Sequence, residues 1–144
     1  MSVMYTGGCH CGNLGFEMEI TSRLSSYSPR TCDCSFCQKH SASYISDNQG
    51  KLTIYIEDKN NFNKYRHGDR IADFLICQIC GVLIGVCYQN QECLYAAINS
   101  KAIDQNPDFQ PETIVSPKML NSQEKIQRWK NAWFSNVSLE KVSR

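Results

Sequence analysis

"FLICQICGVLIGVCY", residues 74–88, is the longest strongly apolar run in the chain, and its punctuation decides how it folds. Gln78, Gly81 and Gly85 interrupt it and Gln89 closes it, so it falls short of the roughly 20 apolar residues that a bilayer span needs. Cys77 and Cys80 lie between two β-type runs, "RIADFLIC" (70–77) and "VLIGVCY" (82–88). A CxxC pair turns two sulfurs toward one point because a tight turn folds the backbone around them. Gly81 suits the end of that turn, since it takes positive φ without Cβ strain. The run therefore reads as strand, cysteine knuckle, strand.

Similar short runs recur on both sides: "LGFEMEI" (14–20), "SASYIS" (41–46), "KLTIYIE" (51–57), "FNKYRHG" (62–68) and "CLYAAIN" (93–99). In 51–57, Leu52, Ile54 and Ile56 alternate with Lys51, Thr53, Tyr55 and Glu57, the period of a half-buried strand. Gly50, "EDKNN" and "HGD" punctuate the runs as turns. The expectation is a mainly β chain of antiparallel sheets. Two helical segments interrupt it: one turn at "SFCQKH" (35–40) capped by Ser35, and a helix over 122–134 capped by Ser122. The second would carry Ile126, Trp129 and Trp133 on one face. Residues 105–117 hold three of the four prolines and read as an extended loop.

With 144 residues and no shift in composition, the chain is expected to form one domain, 1–144. A net charge of +1 argues against a dedicated nucleic-acid binder, and no membrane partner is expected. The start "MSVMYTGGCHCG" lacks a charged region followed by an apolar core, so a cytoplasmic location is expected.

Nine cysteines then need a use other than disulfides, which a reducing compartment disfavours. Seven of them form three clusters: Cys9-x-Cys11, Cys32-x-Cys34-xx-Cys37 and Cys77-xx-Cys80. The two outer pairs together make four thiolates, the closed tetrahedral set of a structural zinc: Cys9, Cys11, Cys77 and Cys80. Cys32, Cys34 and Cys37 remain as a three-sulfur set with one position free, the shape of a catalytic zinc site. Reduced structural thiols, or one zinc beside a redox pair, are the alternatives, although packing explains CxC and CxxC spacing poorly. Cys87 and Cys93 lie in apolar runs and read as small buried hydrophobes. His10 reads as solvent-facing, His40 as either an acid/base partner of Cys37 or a surface group, and His67 as a plain turn residue.

The ordered segments "GGCHCGNLGFE", "CDCSFCQKHSAS" and "FLICQICGVLIG" resemble the glutathione-dependent formaldehyde-activating enzymes, a family that also includes the zinc-binding domain of centromere protein V. The resemblance covers about residues 5–130. It implies a tent-like arrangement of antiparallel sheets around two zinc ions. The first CxC and the last CxxC would hold a structural zinc, and Cys32, Cys34 and Cys37 a catalytic one. The implied activity is a carbon–sulfur lyase reaction on a small-molecule thiol adduct, interconverting S-(hydroxymethyl)glutathione with glutathione and formaldehyde. Glutathione would then be a co-substrate, and Lys39, Arg66 and Arg70 the candidate cations for its carboxylates. Where relatives carry Arg-Lys after the third middle cysteine, this chain has Gln38-Lys39, followed by "HSAS" instead of a glycine-containing turn. The competing reading is a non-catalytic, zinc-stabilised binding module. Its only cationic surface would be Lys118, Lys125, Arg128 and Lys130, on or near the terminal helix.

Overall fold

The apolar periods of the sequence are satisfied in two facing sheets. The computed structural model describes residues 2–105 and 108–142. In chain order the elements are β1 (Val3–Gly8), β2 (Leu14–Ile20), β3 (Arg30–Cys32), α1 (Ser35–His40), β4 (Ser43–Ile45), β5 (Lys51–Ile56), β6 (Phe62–Tyr65) and β7 (Asp73–Cys77). They continue with β8 (Leu83–Gln89), β9 (Leu94–Asn99), β10 (Thr113–Val115), α2 (Ser122–Ala132) and β11 (Asn136–Lys141), joined by short 3-10 turns. The smaller sheet runs β1-β2-β5-β11 and the larger β10-β3-β4-β9-β8-β7-β6. The chain is mainly β with few helices, as expected.

Strand β2 buries Leu14, Phe16, Met18 and Ile20 on one face, and β5 buries Leu52, Ile54 and Ile56. Their antiparallel register sets Phe16 opposite Ile54 and Met18 opposite Leu52, which keeps both apolar faces on one side. That side meets Leu75, Cys77, Ile84, Cys87, Ala96 and Ile98 of the larger sheet in the main core. The outer face of the larger sheet is covered too. There Leu83, Val86 and Ala97 pack with Tyr44, Trp129 and Trp133 in a second cluster.

Strand β8 serves both clusters, and so it is buried from Leu83 to Cys87 with no polar alternation. Its register to β7 shifts between Leu75 and Ile76: Gly85 faces Leu75, while Leu83 faces Ile76. Ile84 is thus the extra residue of a bulge. Ahead of the bulge Leu83 lies in the outer cluster, and after it Val86 does, while Ile84 and Cys87 lie in the main core.

The departures from the sequence reading have local causes. Two pairings are parallel, β10 with β3 and β11 with β5. β10 falls inside the expected loop 105–117, of which 106–107 lie outside the described residues. Helix α1 is capped by Cys34, whose sulfur accepts from the Cys37 backbone N–H, and not by Ser35. Helix α2 is capped by Asn121, not Ser122. Asn121 Oδ1 accepts from Glu124 N at 2.9 Å and Glu124 Oε1 accepts from Asn121 N at 2.9 Å, a closed capping box. Ser122 instead donates to Asp69 at 3.0 Å. Trp129 and Trp133, stacked at 4.7 Å between ring centroids, press the helix onto the outer face of the sheet.

The Asn121→Ala variant should lose about 1 kcal/mol of stability, or about 4 °C in melting temperature. Ser122→Ala should lose clearly less. Thermal unfolding of the two variants side by side checks which residue caps α2.

Candidate functional site

The β1–β2 turn carries Cys9 and Cys11, and the β7–β8 turn carries Cys77 and Cys80. Cys9 N donates to Leu14 O at 2.9 Å and Leu14 N donates to Cys9 Sγ at 3.2 Å, which fixes the first turn. A Cβ on Gly7 would run into the Ala102 carbonyl and the Phe16 ring, so only glycine lets β1 lie this close. In the second turn Gly81 N donates to Cys77 O at 2.8 Å, with Gly81 at φ +81 as its sequence position suggested. The two turns bring the four sulfurs within 4.8 Å of one another. Sγ separations of 3.7 Å (Cys9–Cys11) and 3.6 Å (Cys11–Cys77) are close to the edge of about 3.8 Å expected of a tetrahedron with 2.3 Å zinc–sulfur bonds.

Electrostatics agrees with a cation there. Burial lifts the Cys9 thiol to about 12. Burial also opposes ionisation of Cys80, but backbone hydrogen bonds from Cys11 and Val82 overcome it and draw that thiol to about 6. Four sulfurs this close ionise together only if a positive ion offsets their repulsion. Asn13 braces the site from behind: its Oδ1 accepts from Asp58 N at 2.7 Å and its Nδ2 donates to Asn61 O at 3.3 Å. All nine cysteines are free thiols, and Cys87 is buried. Cys93 is half-buried and donates to Ser135 O at 3.4 Å.

The second cluster is built on one short segment. Cys32 ends β3, Cys34 caps α1, and Cys37 lies one turn into the helix. Cys37 N donates to Cys34 Sγ at 3.4 Å and Gln38 N to Cys34 O at 3.0 Å, so the helix start itself sets the spacing. The turn closes at Ser41, which takes φ 51 where a glycine would be free of strain. The three sulfurs also lie within 4.8 Å of one another. Hydrogen bonds from Cys32 and Cys37 hold the Cys34 thiol near 2, and the bond to Cys34 raises Cys32 to about 11. Cys37 is raised beyond the usual thiol range, by its bonds to Cys32 and Cys34 above all. Its sulfur lies 3.1 Å from the hydroxyl of buried Tyr44. Each cluster could hold a metal ion, and all-sulfur donor sets suit zinc.

The clusters differ in what faces them. Cys32, Cys34 and Cys37 line a cavity of about 430 Å³ between the outer face of the larger sheet and α2. Its walls include Tyr44, Phe74, Val86, Trp129 and Trp133, so they are largely apolar. Arg30, Lys118, Lys125 and Arg128 bring positive charge to it. Lys118 and Lys125 face acids, Asp33 at 3.9 Å and Asp69 at 2.9 Å. Arg30 is drawn down to about 10, by burial first and by Arg128 second.

Lys39, Arg66 and Arg70 are not among the lining residues. Lys39 and Arg70 are exposed, and Arg66 is tied to Asp73, with its Nε 2.6 Å from Oδ1. They stand near the cysteines in sequence, but the chamber is walled by other elements. His40 is exposed and packs on Phe36 at 4.6 Å between centroids, and His10 is exposed. His67, which the sequence offered no reason to choose, does line the cavity. It stacks on Phe74 at 4.8 Å, and its Nε2 is buried with no hydrogen-bond partner among the described residues. Among the described residues no helix is long and apolar enough to cross a membrane.

The family model described as "glutathione-dependent formaldehyde-activating enzyme" matches residues 4–118. Among solved structures, the chain is similar to the crystal structure of a Rhodobacter sphaeroides protein, with 25% identity and a TM-score of 0.53. That match covers 71% of this chain and 91% of the other. The chain belongs to the glutathione-dependent formaldehyde-activating enzyme family.

Cys80→Ser should unfold the chain or lower its melting temperature sharply, because metal lost from a closed four-sulfur site is folding free energy lost. Metal analysis with thermal unfolding checks this. Wild-type zinc content and melting in Cys80→Ser would contradict a four-thiol site.

Proposed function

We propose that this family member is a zinc-dependent carbon–sulfur lyase acting on a thiol adduct of formaldehyde such as S-(hydroxymethyl)glutathione. The observation that carries the reading is the contrast between the two clusters. One set of four sulfurs is complete, and the set of three opens onto an apolar chamber. Cys32, Cys34 and Cys37 would hold the zinc, which when bound would supply a positive charge that favours a thiolate over a thiol.

The remaining work falls to the chain. In the cleavage direction the carbon–sulfur bond breaks with its electron pair going to sulfur, and the hydroxyl oxygen gives up its proton as the carbonyl forms. Sulfur ends with a proton, so the net transfer is from oxygen to sulfur. His67 Nε2, buried in the wall of the chamber with no hydrogen-bond partner among the described residues, is the group we assign to hold that proton between the two. The Tyr44 hydroxyl at 3.1 Å keeps Cys37 Sγ in place. Trp129, Trp133 and Phe74 keep bulk water from the reacting carbon, which strengthens every polar contact in the chamber.

The test compares formaldehyde–glutathione adduct exchange in wild type and in Cys34→Ser against the uncatalysed background. Catalysed exchange should vanish in Cys34→Ser while the fold and the four-thiol metal persist. Equal rates for the two proteins across several thiols would favour the non-catalytic binding module. His67→Asn should lower kcat about a hundredfold with KM little changed. An unchanged kcat would remove His67 from the mechanism.

A further inference from the structure

Charged groups in a largely apolar cavity are ordinarily paired, because removing them from water without a counter-charge is costly. The four cations of the chamber divide on this point. Lys118 and Lys125 have Asp33 and Asp69. Arg30 and Arg128 form no ion pair among the described residues. The half-buried Arg30 donates from Nη2 to Ser46 Oγ at 2.6 Å, and Ser46 donates onward to the Ala132 carbonyl at 2.7 Å. A neutral hydroxyl thus fixes the direction of the guanidinium and leaves its charge unmet. Arg128, an exposed side chain of α2, lines the same cavity together with Trp129 and Trp133, so the cost of an unmet charge falls on Arg30 and Arg128 adds a second cation from the solvent side. Both line one largely apolar cavity, and neither is met by a carboxylate among the described residues.

We infer that Arg30 and Arg128 form a carboxylate subsite, so that the thiol this site accepts carries a carboxylate a short reach from its sulfur. This rests on reading the chamber as a thiol-adduct site. The strand sets the reach: Arg30 and Cys32 are two residues apart on β3, so they share one face with backbones about 7 Å apart. A cysteine-containing acid or short peptide places sulfur and carboxylate a few bonds apart, within that scale. A planar guanidinium reads a carboxylate through two parallel hydrogen bonds, and a second arginine makes the contact specific for an anion. A thiol without a carboxylate would leave the half-buried Arg30 unpaired and bind less tightly.

The two tryptophans of the chain, Trp129 and Trp133, both line this chamber, so their fluorescence reports on its occupancy without any turnover. The zinc-loaded full chain is titrated with glutathione and with glutathione diethyl ester, whose carboxylates are blocked. Wild type should bind glutathione about tenfold or more tightly than the diester. In Arg128→Gln the affinity for glutathione should fall by about that factor while that for the diester holds, bringing the ratio toward one. Arg30→Lys, which keeps the charge but not the fork, should reduce the ratio in part, and thermal unfolding confirms that both variants fold. Equal binding of the two ligands by wild type, no binding of either, or an unchanged ratio in a folded Arg128→Gln would overturn the subsite. Adduct exchange is scored separately. A protein that turns nothing over but loses its preference in Arg128→Gln keeps the subsite and loses the lyase reading. One that catalyses exchange with an unchanged ratio does the reverse.

Discussion

Four sulfurs drawn within 4.8 Å of one another are the constraint on which the structure turns. They come from two turns far apart in the chain, one on each sheet, and their charges repel unless a cation sits among them. An ion bound there would hold the β1–β2 turn and the β7–β8 turn together, and with them the two sheets that close over the main core. Hydrophobic burial of Leu14, Phe16 and Met18 against the larger sheet acts in the same direction, but it is indifferent to small sliding motions. Four sulfurs sharing one ion would fix where along the sheets the sliding stops.

The second cluster inherits its place from that frame. The larger sheet presents one face to the core and the other to α2, and β3 and α1 deliver three sulfurs onto the outer side. The roof needs no metal. It is held by the Trp129–Trp133 stack, the Asn121–Glu124 capping box and the Lys125–Asp69 pair. The four-sulfur set thus borders the main core and the three-sulfur set the outer cluster, on opposite sides of the larger sheet.

Much of this was legible in the sequence because it is local. The alternation in 14–20 and 51–56, the CxC and CxxC spacings and the glycine after Cys80 each carry their own geometry. What was not legible is what depends on contacts between distant residues. Strands β3 and β10 have three residues each, too few to show a period, and are defined by their pairings, β10 with β3 and β3 also with β4. Ser122 resembled a cap, but the reciprocal bond available to Asn121 and Glu124 outweighed it. Lys39, Arg66 and Arg70 were chosen by nearness in sequence to the middle cysteines, whereas the chamber draws Arg30 and Arg128 from opposite ends of the chain. His67 gave no signal because a histidine in an "HGD" turn shows its worth only after the turn folds over Phe36 and Phe74.

The bulge at Ile84 gives strand β8 a property that an uninterrupted strand lacks: a change of phase part-way along its length. Odd and even positions exchange addresses across Gly85, so Leu83 and Val86 both look into the chamber side although they differ in parity. Gain or loss of one residue there would swap wall for core over half the strand, whereas a point substitution alters only one surface. The chamber wall can therefore drift residue by residue, toward bulkier or smaller ligands, while the strand's count stays frozen. Within such a lineage, length in this hairpin would be the slow variable and side-chain identity the fast one.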